Sequence, residues 1–342
     1  MTEKDLVDGV CPDHKTKPEL LTEKNWFLKI SSFTEKIQEK IENDQFKIWP
    51  SAIRNEVLAM LKSGFNDIAI SRPNVKWGIP LPWDETQTVY VWVDALINYV
   101  SGAGFGKDKT QFKKYWPADA HVIGRDIIKF HCIIWPAILL AAGIEMPESV
   151  VTHGYLTVAN QKMSKTLGNV IDPNDWASKY GSDAVRYLLM REVAFGQDGD
   201  VSEEKLRIRY EGDLANGLGN LVSRLTNMIE KFCDGRIPEI LQPRPDLEEV
   251  GGLIGTYRFH EALAKIWESV AWANEYIDKS KPWALAKSDP EKLEKVLSEL
   301  SAEVHMISKV LAPFLPVSAE RIRVAFEGEK ITKVNDLFPR IE

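Results

Sequence analysis

Apolar positions recur along this chain with two different periods. Phe33, Ile37 and Ile41 stand four apart, and Ile53, Val57, Leu58 and Leu61 keep a helical step, which predicts two amphipathic helices within 33–61. Strand-like runs follow: IAIS (68–71), TVYVWVDAL (88–96), HVIG (121–124) and SVVTHGYLTV (149–158). HVIG is predicted to run straight into an apolar helix over 126–142. Alternation of strand, helix and strand predicts parallel α/β packing in the first part of the chain. From about residue 203 the period is helical almost throughout. Leu214, Leu218, Leu221, Leu225 and Met228 form one series, Leu263, Ile266, Val270, Ala273 and Ile277 a second, and Leu293, Leu297, Leu300, Val304, Ile307 and Leu311 a third. Three long helices with polar opposite faces predict a helical bundle. The turn-rich segments 234–246 and 279–283 separate them.

Length and composition fit this picture. The 342 residues suffice for two or three domains, and 44% apolar with 27% charged residues is ordinary for a globular protein. IIWPAILLAAG (133–143) is too short to span a bilayer, so it reads as core, and the polar N-terminus resembles neither a signal nor a transit peptide. Three cysteines argue against a disulfide framework and for a reducing cytoplasm. With 43 Lys+Arg against 50 Asp+Glu the net charge is −7, so any RNA partner must be held by a local face.

Six segments carry candidate chemistry. QKMSKTLGN (161–169) flanks a small polar residue with Lys162 and Lys165. It reads either as a solvated turn or as a loop folded over a polyphosphate, with ammonium groups on the charge that develops as pyrophosphate leaves. YVWVDALINY (90–99) places Trp92, Ala95, Leu96 and Tyr99 either in a core or around an apolar or thioether side chain. GRDIIKFHC contributes Gly124, Asp126 and His131; on a regular helix Asp126 and His131 need not share a face. Cys11 and His14 have ligand spacing, but structural zinc needs four ligands and no second pair follows. Asn220 and Arg224, one helical turn apart, can meet an unpaired base edge, and Trp283 after Pro282 is either core or a stacking platform.

Taken in order, the blocks SRPNVKWGIPLPWD, YVWVDALINY, WPADAHVIGRDIIKFHCIIWP, THGYLTVANQKMSKTLGN, YGSDAVRYLL, FGQDGD, DLANGLGNLVSR and LFPRI resemble the methionyl-tRNA synthetases over essentially the whole chain. The resemblance implies the second half of a class I Rossmann-type α/β fold followed by an all-α anticodon-binding bundle. Residues 1–75 would be the remainder of a connective insertion and 76–150 the second half of the nucleotide fold. Residues 151–210 would be the lysine loop and stem-contact region, and 211–342 the anticodon domain. It implies ATP-dependent ligation of methionine to tRNA(Met) through methionyl-adenylate, with Mg²⁺ beside ATP, in a cytoplasmic monomer away from membranes.

Position by position, KMSKT (162–166) matches the family's KMSKS loop, with Lys165 on the ATP phosphates and Thr in place of the last Ser. Trp92, Ala95, Leu96, Tyr99 and His131 match the methionine side-chain pocket. Gly124 and Asp126 match adenylate contacts, and Asn220, Arg224 and Trp283 match readers of the CAU anticodon. Cys11 and His14 match the second half of a zinc knuckle whose first Cys pair is missing. No HIGH block is present; HVIG (121–124) lies in the wrong place and lacks the second His. The expectation is therefore the C-terminal portion of a longer ligase. The alternatives are a non-catalytic anticodon-binding fragment, and a sibling synthetase for a branched aliphatic amino acid, for which no segment is long enough to be an editing domain.

Overall fold

The computed structural model describes residues 8–11, 16–18, 22–73, 75–163, 168–236, 244–327, 330–331, 333–334 and 337–341. It divides into two compact units, Met1–Thr152 and His153–Glu342.

In the first unit, β1 (Phe27–Leu28) and β3 (Ile68–Ala69) form an antiparallel pair. A three-stranded sheet has the order β2-β8-β7, from β2 (Lys47–Trp49), β8 (Ser149–His153) and β7 (His121–Gly124), with β2 and β8 parallel. A second sheet, β4-β6-β5, joins β4 (Ser71–Pro73), β6 (Asp84–Val89) and β5 (Pro80–Leu81) antiparallel. Helices α1 (Thr34–Glu42) and α2 (Ser51–Lys62) bury the predicted stripe of Ile37, Ile41, Ile53, Val57 and Leu61. Helix α4 (Lys109–Tyr115) starts where the Asp108 carboxylate accepts from the Thr110 and Gln111 amides, satisfying two donors that the first turn leaves free.

Two sequence expectations change here. The run 88–96 is not one strand: β6 ends at Val89, and α3 (Val91–Gly102) begins after Tyr90. The reason is period. Trp92, Leu96, Tyr99 and Val100 recur by four and three, which suits a helix on the core, and only Thr88 and Val89 have strand partners. The apolar helix over 126–142 is also not uniform. A 3₁₀ turn (Arg125–Ile127) and a π turn (Phe130–Ile134) precede α5 (Trp135–Ala142). Pro136 has no N–H and its ring crowds the carbonyl four residues back, so the backbone widens before it. Gly143 at φ 67° ends α5 in the left-handed conformation that suits glycine.

The second unit opens with a small sheet, β10-β9-β11. Strands β9 (Leu156–Val158) and β10 (Gln161–Lys162) form a hairpin, and β11 (Gly199–Asp200) pairs parallel to β9. Helices α6 (Pro173–Tyr180), α7 (Ser182–Glu192) and α8 (Glu203–Arg209) surround it in sequence. A ten-residue π-helix (Tyr210–Gly219) then carries the chain into α9 (Asn220–Phe232). The rest is α10 (Val250–Gly255), α11 (Phe259–Ser280), α12 (Pro282–Ser288), α13 (Pro290–Leu311) and α14 (Pro316–Glu327). Every residue of the three periodic series is buried, as the helical spacing predicts. One hydrophobic core runs from Trp176 through these helices to Phe338. Among the described residues no helix is long and apolar enough to cross a membrane.

Candidate active site and anticodon face

Helix α3 carries four of the expected pocket residues on one stripe, with Leu96 only 1% exposed and Trp92, Ala95 and Tyr99 half-buried. The Trp92 ring stacks on Phe130 at 4.0 Å between centroids and 17° between planes. His131, on the π turn opposite, donates from Nδ1 to the Ile127 carbonyl at 3.0 Å. A carbonyl can only accept, so the neutral ring keeps its lone pair on Nε2, and that atom accepts from the Tyr99 hydroxyl at 2.9 Å. Burial pushes the His131 pKa down, against the pull of the Ile127 carbonyl, and burial pushes the Tyr99 phenol up. Both groups thus stay neutral, which suits an uncharged, polarisable guest.

Behind this pair stands a residue that motif reading passed over. His121, at the start of β7, lies under Tyr99 at 4.3 Å and accepts from Trp135 Nε1–H at 3.2 Å. Burial, helped by the neighbouring His131, lowers its pKa to about 4. Trp135 is fully buried and packs near Tyr99 at 6.1 Å. Tyr99 and His121 also wall a cavity of about 460 Å³ bounded by Gln111, Tyr115 and Trp116. The only sequence signal for His121 is its place at the head of HVIG. Tyr99→Phe removes the donor to a buried Nε2, so a loss of about 2 kcal/mol in stability is expected, read as a lower urea midpoint at unchanged slope.

Gly124 closes β7 in extended geometry, and Asp126 is exposed in the following 3₁₀ turn, five residues before His131. Beside α3, Arg72 spreads its guanidinium over the Tyr90 ring at 4.0 Å. Both border a wider cavity of about 730 Å³ with Trp77, Ile79, Val91 and Asp94, none of which spacing alone had singled out.

In the second unit, Lys162 ends β10, its backbone paired with Thr157. Lys165 lies outside the described residues, as do all of 164–167. The hairpin turns at Ala159 and Asn160, both at positive φ (51° and 59°).

On the bundle, Asn220 and Arg224 point toward α11. Asn220 Nδ2 meets Asn274 Oδ1 at 3.5 Å, and Arg224 Nη2 pairs with Asp278 Oδ1 at 2.6 Å. Trp283 stands in the first turn of α12, not in a loop, after the left-handed Lys281. At 47% exposure it is not core, and α12 lies against α9.

Cys11 is buried and its N–H donates to the Thr16 carbonyl, while His14 lies outside the described residues. Among the described residues no group of three or more His, Cys, Asp or Glu is placed to hold a metal ion, so the four ligands of a structural zinc are not assembled from them.

The family model for class I tRNA synthetases (M) matches residues 1–226, and the anticodon-binding domain of methionyl tRNA ligase matches 249–340. The methionine–tRNA ligase of Caldanaerobacter subterraneus is 38% identical over 100% of this chain and 58% of its own length. That of Thermotoga maritima is 41% identical over 96% of this chain and 54% of its own. The chain thus spans little more than half the length of these relatives. Mycobacterium tuberculosis methionyl-tRNA synthetase bound by methionyl-adenylate superposes with a TM-score of 0.87 at 36% identity, over 98% of this chain and 73% of that one. On these matches the chain belongs to the class I tRNA synthetases of the methionyl family.

Proposed function

We propose that this chain carries the methionine pocket, the phosphate-contacting lysines and the anticodon face of an enzyme that ligates methionine to tRNA(Met). The observation that carries this reading is the neutral Tyr99–His131 pair beside the stacked Trp92. It offers a thioether soft aromatic surface and one hydroxyl, with no charge to be desolvated. In the first step a methionine carboxylate oxygen attacks the α-phosphorus of ATP and pyrophosphate leaves. A hydroxyl of the tRNA's terminal ribose then attacks the methionyl carbonyl carbon, and AMP leaves. Trp92, Ala95, Leu96, Tyr99 and His131 hold the side chain, and Gly124 and Asp126 border the adenylate. Lys162 and Lys165 meet the phosphates. Mg²⁺ arrives with ATP, and zinc takes no step. Catalysis is positioning and electrostatic stabilisation, without a covalent enzyme intermediate.

Methionine-dependent ATP–pyrophosphate exchange, with leucine and isoleucine as competitors, tests this reading. Binding of a CAU stem-loop without exchange would instead support an anticodon-binding fragment. On the bundle, Trp283 stacks a base while Asn220 and Arg224 hydrogen-bond to its neighbours. Stacking contributes roughly 1–3 kcal/mol per base, so Trp283→Ala is expected to weaken CAU stem-loop binding about tenfold or more and leave the bundle folded. Unaltered affinity in a fluorescence-anisotropy titration would remove Trp283 from the RNA face.

A further inference from the structure

The motif FGQDGD (195–200) has no part in the chemistry above, yet its two carboxylates grip the lysine-bearing hairpin. Asp198 Oδ1 accepts from the Tyr155 amide at 2.8 Å, at the start of the hairpin. Asp200 Oδ1 accepts from the Asn160 amide at 2.8 Å, at its turn. Between them the backbone of β11 bonds to that of β9: Gly199 N–H donates to Tyr155 O at 2.9 Å and Val201 N–H to Thr157 O at 2.8 Å. The approach is close enough to exclude side chains. A Cβ on Gly154 would stand 2.1 Å from the Gln197 carbonyl oxygen, and one on Gly199 would stand 2.3 Å from Val193.

The turn needs such a grip. Ala159 and Asn160 are non-glycine residues in consecutive left-handed conformations, each unfavourable by about 1 kcal/mol for an L side chain. A carboxylate accepting the second amide offsets that cost.

Asp200 also faces the other way. Lys205 Nζ lies 3.7 Å from its Oδ2 and 3.3 Å from Glu192 Oε2. Glu192 Oε1 accepts from Arg209 Nε at 2.7 Å, Arg209 reaches Asp213 at 2.9 Å, and the Tyr187 hydroxyl donates to Asp213 at 2.8 Å. The acids of this chain are only 14% (Glu192), 16% (Asp200) and 24% (Asp213) exposed, unlike Lys279–Glu275 at 71% and 60%. Water screens such a network less than it screens a surface pair. Its far end enters the bundle, where Tyr187 lies 4.4 Å from the Trp267 ring.

We propose that Asp200, with Asp198, is a positioning residue that fixes the β9–β10 hairpin, and that the ion-pair chain from Asp200 to Tyr187 ties the hairpin to α7 and to the π-helix that leads into α9. Asp200 touches no reacting atom. It sets the base from which the lysine segment departs, and its catalytic effect rests on the function proposed above.

Hydrogen exchange followed by mass spectrometry on the full chain tests the grip without any catalysis. Asp200→Ala is expected to speed exchange of the Asn160 amide about tenfold, the usual worth of one such bond. Asp200→Asn, which keeps an acceptor oxygen, is expected to restore most of the protection. Glu192→Gln is expected to speed the same amide by a smaller factor from the far side of Lys205. Unchanged exchange across 155–162 in Asp200→Ala overturns the grip, and no response to Glu192→Gln overturns the tie. A general drop in protection through 203–232 that Asp200→Asn does not rescue would show a role in folding only. In pyrophosphate exchange, Asp200→Ala is expected to lower kcat and leave the methionine KM unchanged. If the amides respond but the unaltered sequence in a full-length ligase context gives no methionine-dependent exchange, the positioning role stands and the functional reading falls.

Discussion

In a full-length ligase context, Lys165→Ala is expected to lower methionine-dependent ATP–pyrophosphate exchange by about 10²–10³ and to leave the methionine dissociation constant nearly unchanged. The reasoning starts from charge. On the function proposed above, methionine enters a pocket of neutral groups, Tyr99, His131 and Trp92, none of which lies in the lysine segment. The negative charge that an ammonium can stabilise grows only as the bond to pyrophosphate breaks. An interaction made only in the transition state changes kcat and not ground-state binding. Lys165→Arg should recover part of the loss, because it restores charge but not the compact ammonium geometry. A large rise in the methionine dissociation constant with little loss of rate would show that Lys165 serves binding and not the departing phosphate.

The first unit is expected to lose about 3 kcal/mol of stability as pH falls from 6.5 to 4, most of it through His121. In the unfolded chain its imidazole takes up a proton near pH 6.5, and in the folded chain only near pH 4. Between those values the unfolded state binds more protons, so stability is fully present above 6.5 and drains away toward 4. The cause is geometric. His121 is buried under Tyr99 with Nε2 committed to the Trp135 indole, and His131 lies 6.2 Å away, so a charge there would be desolvated beside a second imidazole. The depressed pKa of His131 adds a loss of the same sign. Urea midpoints measured from pH 7 to 4 follow this, and His121→Gln, which keeps an acceptor for Trp135, should flatten most of the slope. An equal slope in that variant would place the titration elsewhere.

Much of this architecture is legible in the sequence. The bundle is, because Leu263 to Ile277 and Leu293 to Leu311 repeat over many turns, and a long periodic stripe has one burial solution. The pocket stripe on α3 is legible as residues but not as a helix, since Val89, Tyr90, Val91 and Trp92 also suit a strand. Only the end of pairing at Val89 decides. The pairing of Lys47 with Ser149 depends on a partner far along the chain, which no local window contains. His121 was hidden for the same reason. Its chemistry comes from Tyr99, His131 and Trp135, and none of these is its neighbour in sequence.

The π-helix from Tyr210 to Gly219 has a consequence for how chain length is distributed. A π turn closes from i to i+5 and so holds one residue more than an α turn along the same rod. Tyr210, Leu214 and Leu218 are buried along this stretch, while Gly212, Gly217 and Gly219 add no side chain to it. A single residue deleted between Leu214 and Leu218 can be absorbed by narrowing one turn back to α geometry, which keeps both leucines on one face. The rods on either side need not shift. Upstream, Arg209 would keep Glu192 and Asp213; downstream, Asn220 would keep Asn274 and Arg224 would keep Asp278. The segment acts as a length buffer between the Arg209 ion pairs and α9. In an alignment of this region, a one-residue gap between positions 214 and 218 is the expected form of harmless variation, whereas the same gap inside α9 would rotate Asn220 away from the face that carries Arg224.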